Sequence, residues 1–176
     1  TDFTPLMRPA NALVPTVDID SGVTSISMTH LAGLLDGSVK SWRELGEDSD
    51  APIQVVLTDA VGDVFQPVTT VMQENGFANP SIPNVHVLES SPLSLDFAFY
   101  STIENTRRPI PISDSCGIAH AGEARAIKSL EYPLSLPMYL YRPMRRMPKI
   151  GQDFFNYLNG TSAKRVVERA GFQAID

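Results

Sequence analysis

Ser25-Ile-Ser-Met-Thr-His-Leu-Ala-Gly-Leu-Leu-Asp-Gly-Ser-Val-Lys-Ser-Trp-Arg-Glu-Leu-Gly46 is the stretch whose reading decides the fold. Met28, Leu31, Leu34 and Leu35 recur at helical spacing, so residues 28–36 carry one apolar face. Ser27 offers an N-cap hydroxyl, and Asp36-Gly37 offers a left-handed stop at the other end. Ser41-Trp-Arg-Glu-Leu-Gly46 reads as one further helical turn, again closed by glycine. The run Ile53-Gln-Val-Val-Leu57 that follows is rich in β-branched residues and reads as a strand. A short amphipathic helix leading into an apolar strand is the working unit of a layered α/β domain.

The same alternation extends outward. Residues 12–17 are a short β-rich run in which Pro15 predicts an edge or crossover strand and argues against a central one. Val64, Val68, Val71 and Met72 predict a helix near 64–75, after a polar turn at 58–63. Residues 85–88 and 137–141 read as strands, and 110–112 as a strand interrupted by Pro111. Helices are expected over 93–103, 123–130, 153–158 and 162–170, the last capped by Ser162 and ended by Gly171. The strands 53–57, 85–88 and 137–141 should share one mixed sheet, with helices on both faces.

A chain of 176 residues, 43% hydrophobic and 19% charged, supports one globular domain with a real core. Its 14 prolines imply stiff, extended connections. A net charge of −6 disfavours a nucleic-acid partner, which needs a basic face. It leaves a small anion open, because backbone N–H groups and helix N-termini hold such ligands locally. No run of about 18 apolar residues occurs, so no membrane insertion is expected. The start shows no basic segment followed by an apolar run, as in a mature exported chain. Cys116 is the only cysteine, so no internal disulfide can form.

His30, His86 and His120 have no partner at metal-ligand spacing except Cys116, four residues before His120, and two ligands do not make a zinc site. Cys116 itself reads as a small buried hydrophobe. The cations Arg142, Arg145, Arg146 and Lys149 read as a solvated loop, with a face toward a first lobe or a partner as the alternative. Trp42, Tyr139, Tyr141, Phe154, Phe155 and Tyr157 stand at core spacings. The sequence holds no nucleophile elbow, phosphate-cradling loop or dinucleotide fingerprint, so neither an enzyme nor a cofactor is expected.

The stretch 25–46 resembles the helix–Gly–Trp–x–x–Leu–Gly segment of the substrate-binding proteins of phosphate-type ABC transporters. Residues 127–141, with Tyr132-Pro-Leu134 ahead of an apolar run, resemble their return crossover strand, and residues 11–17 the outgoing one. Phe154-Phe-Asn-Tyr-Leu158 through Ala163 to Gly171-Phe172 is similar to their closing helix pair. Ser115-Cys-Gly117 is closest to the subgroup fused to an outer-membrane-protein-A-like domain. The resemblance implies an α/β, periplasmic-binding-protein-like lobe over residues 1–176: the second lobe with both crossovers, the first lobe being absent. It implies an exported, periplasmic, non-catalytic module that takes a small inorganic anion.

The family's anion turn resembles Arg-x-x-x-Ser-Gly-Thr between a strand and a helix, where the guanidinium, hydroxyls and helix N-terminus all donate. Here Thr58-Asp-Ala-Val-Gly-Asp63 stands in its place. Gly62 matches the glycine, Val61 replaces the serine, Asp63 replaces the threonine, and no arginine precedes them. Two like charges about 4 Å apart repel by about 4 kcal/mol at an effective dielectric near 20, so Asp63 opposes phosphate. Thr58, Gly62 and Asp63 are therefore the candidate ligand residues of a degraded site, with Asp63 expected to cap the following helix. An alternative is a scaffold or interaction domain of the bacterial envelope that has lost its ligand. With no first lobe to lean on, the apolar faces of the closing helices should be partly uncovered, and then either buried in a homodimer or brought by a repositioned helix onto their own lobe.

Overall fold

The computed structural model describes residues 8–57, 73, 85–86, 91–114, 116–140 and 147–175. Its main sheet is built on β1 (Arg8–Asp18), a strand of 11 residues paired with four others. β5 (Ser94–Phe99), β6 (Arg107–Pro109), β9 (Ser135–Pro137) and β10 (Gln173–Ile175) all run antiparallel to it. Beyond β5 the sheet continues in parallel through β3 (Gln54–Leu57) to β4 (Val85–His86). A smaller sheet joins β2 (Ile26–Ser27), β7 (Ile112–Ser113) and β8 (Ala119–His120). The helices are α1 (Met28–Asp36), α2 (Ala124–Lys128), α3 (Lys149–Leu158) and α4 (Thr161–Arg169).

The deciding stretch folds as its residues require. Ser27 Oγ accepts the His30 N–H at 3.0 Å, satisfying one of the free donors at the start of α1. Met28, Leu31, Leu34 and Leu35 are buried, and Gly37 closes the helix at φ 75°. Trp42–Leu45 forms a 3-10 turn with Trp42 and Leu45 buried, and Gly46 closes it at φ 94°. Both stops lie in the left-handed region where glycine meets no Cβ penalty. Glu44 Oε1 accepts from the backbone N–H groups of Lys40 and Ser41, each at 2.9 Å, and these bonds hold its carboxyl below the usual carboxylate range.

Pro15 overturns one expectation. Its strand is the most flanked of the sheet, not an edge. Ala10 pairs with Gln173 and with Pro137, so β10 and β9 lie on opposite edges of β1. Thr16 sits in the same way between Asp96 of β5 and Pro109 of β6. Pro9 O accepts from Met138 N and Pro15 O accepts from Ile110 N, so β9 and β6 share one edge. Pro15 falls where the first of these ladders has ended and the second has not begun. Its missing N–H removes no ladder bond there.

Other expectations shift as well. Residues 93–103 form β5 and a 3-10 turn (Tyr100–Thr102), not a helix. Leu93, Leu95, Phe97 and Phe99 alternate with Ser94, Asp96 and Ala98, and that period of two suits a strand buried between β1 and β3. The strand expected over 137–141 lies earlier, at Ser135–Pro137; Met138, Tyr139 and Leu140 are exposed, and residue 141 lies outside the described residues. α3 begins at Lys149, four residues before its expected start. The N-cap of α4 is Gly160, and Ser162 lies inside the first turn. Of the helix expected near 64–75 only Gln73 is described, and it is helical.

The core joins β1, α1 and the Tyr-Pro-Leu segment. Leu13, Val17, Leu31, Leu34, Phe97, Ile110, Ile127, Tyr132 and Leu134 are buried together. Leu13 N donates to Leu134 O at 3.1 Å, tying the segment to the β1 spine. Among the described residues one ion pair lies inside: Arg107 Nη2 is 3.1 Å from Asp96 Oδ1, with both side chains almost wholly buried. Breaking such a pair strands a charge in a low-dielectric interior. Arg107→Ala is expected to lower stability by about 3–5 kcal/mol in urea unfolding. Arg43, exposed and paired with Asp48 and Asp50, should tolerate the same change with little effect, and equal losses in the two variants would contradict this account.

Candidate functional site

The parallel strands β3 and β5 run in the same direction in register, with Val55 opposite Leu95 and Leu57 opposite Phe97. Their carboxyl ends therefore open on one side of the sheet, the side where α/β folds place ligands. The chain leaves β3 at Leu57 directly into the candidate turn. Thr58, Gly62 and Asp63 themselves lie outside the described residues.

The neighbouring end of β5 is described. Phe99 leads into the 3-10 turn Tyr100–Thr102, and buried Asn11 of β1 fastens it. Asn11 Nδ2 donates to Ser101 Oγ at 2.9 Å, and its Oδ1 accepts from Ala12 N at 2.9 Å and from Ser101 N at 3.4 Å. Gly171, after α4, packs on the same turn so closely that a Cβ there would stand 2.7 Å from Ser101 Cα. The segment that closes the chain thus buttresses the carboxyl end of the sheet. The sequence reading named Asn11 only as the start of a crossover; its role depends on Ser101, 90 positions away.

Leu57, not an arginine, stands four residues before Val61, and both arginines of β6 are already engaged. Arg107 donates to the carbonyl oxygens of Ser91, Thr16 and Ser94 at 2.8–2.9 Å, beside Asp96 at the amino end of β5. Burial pushes its guanidinium down and the Asp96 carboxylate pulls it back up. Arg108 donates to Ser21 O and Val23 O, both at 2.6 Å. Near the amino end of β3 lies an open depression of about 650 Å³ lined by Leu34, Val39, Lys40, Ile53, Gln54 and Leu93 among others. It lies at the opposite end of β3 from Thr58.

The histidines are placed apart: His30 in α1, His86 in β4 and His120 in β8. His120 Nε2 lies 3.2 Å from Asp114 Oδ2 across the β7–β8 hairpin. Asp114 Oδ1 accepts the backbone N–H groups of Cys116 and Ile118 at 2.9 Å each. Cys116 is exposed rather than buried, because it occupies the tip of this hairpin, where no layer covers it. Of the aromatics read as packing, Trp42 is buried, whereas Tyr139, Phe154 and Tyr157 are exposed. Arg142, Arg145 and Arg146 lie outside the described residues; Lys149 opens α3 and is exposed.

Taken together, a mixed sheet flanked by helices is consistent with a periplasmic-binding-protein-like lobe. Solved structures match it over nearly the whole chain. An ABC-type phosphate transport receptor from Vibrio cholerae superposes with a TM-score of 0.71 at 18% identity, over 98% of this chain and 72% of that one. A protein assigned as a phosphate ABC transporter substrate-binding protein from Clostridium perfringens, with phosphate bound, gives 0.72 at 13% identity over 99% and 72%. PstS from Borrelia burgdorferi gives 0.68 at 16% identity over 99% and 72%. Neither a family model nor a curated protein matches the sequence. The chain therefore has the fold of phosphate ABC-transporter substrate-binding proteins.

The hairpin makes a pH prediction. Backbone donation from Ile118, then the His120 contact, holds the Asp114 carboxyl below its ordinary value. A carboxyl lowered in the folded state adds stability that is complete above the unfolded pKa of about 4 and fades as pH falls through the folded value. In an NMR titration, the Asp114 carboxyl should titrate below the ordinary aspartate midpoint. In Asp114→Ala, which removes the acceptor, the backbone amides of Cys116 and Ile118 should lose exchange protection at neutral pH. An ordinary midpoint, or unchanged protection, would contradict the reading.

Proposed function

We propose that this chain is an exported, non-catalytic binding module of the bacterial envelope whose anion turn, Thr58 to Asp63, has lost tight phosphate binding. The observation that carries the reading is a contrast. The fold coincides over nearly the whole chain with proteins whose descriptions name phosphate. Yet the turn after β3 presents Asp63 where that family offers a hydroxyl, and no arginine stands before it. A carboxylate at the binding point would repel the ligand charge, and the sequence offers no arginine there to offset the repulsion. Thr58 Oγ1, the backbone N–H of Gly62 and the amides beyond it remain as donors for a weakly held anion. A second reading, a scaffold or interaction domain of the envelope, gains support from the exposed apolar side chains of α3.

Calorimetric titration with phosphate, sulfate and molybdate tests the first reading. The wild-type chain should show no binding tighter than about 1 mM, and Asp63→Ser should raise phosphate affinity by about tenfold or more. A micromolar dissociation constant in the wild type would overturn the proposed loss. No change in the variant would show that Asp63 is not what opposes the anion.

A further inference from the structure

We draw no further inference here: the strongest candidate, the open depression of about 650 Å³ between the end of α1 and the amino end of β3, is a mainly apolar surface hollow with the exposed Lys40 at its wall, and nothing in the structure shows what covers it.

Discussion

Hydrogen bonding along both edges of β1 is the constraint on which the rest of the structure depends. A buried backbone group without a partner costs as much as a lost hydrogen bond, so a long strand crossing the core must be paired on each side. β1 meets this with β10 and β5 on one edge and β9 and β6 on the other. Segments from both ends of the sequence and from its middle are thereby brought to one strand. Most contacts that position the candidate site are in consequence long-range, and a local defect in β1 would be felt at the helices that follow β9 and precede β10.

The polar interior follows from the same crowding. Where β1, β5 and β6 converge, carbonyl oxygens of Thr16, Ser91 and Ser94 point to a common spot, and Arg107 satisfies them with one planar fork. Asp96 balances its charge. This is a structural use of arginine, closed on main-chain acceptors at the amino end of β5. The stretch Thr58 to Asp63 that follows β3 holds no arginine.

The helices α3 and α4 show a different balance. They follow the sheet rather than fill it: α4 reaches β10 and Ser101 through Gly171, while α3 rests chiefly on α4.

The sequence by itself determined the elements whose signals are local. Ser27, Leu31, Leu34 and Gly37 specify α1, and Trp42 with Gly46 specifies the turn after it, because caps, helical periodicity and left-handed stops act within a few residues. The β-branched run of β3 and the order of motifs along the chain were legible for the same reason, and so was the fold they imply. What only the tertiary structure decided were the properties set by neighbours distant in sequence. Pro15 could enter a central strand because β9 stops and β6 starts on either side of it, which no reading of Pro15 alone contains. Residues 94–99 became a strand rather than a helix because β1 and β3 flank them. Asn11 acquired its task from Ser101, and Cys116 its exposure from a hairpin held by Asp114. Burial and pairing are decided by what the folded chain brings alongside a residue, and that information is spread over the whole sequence.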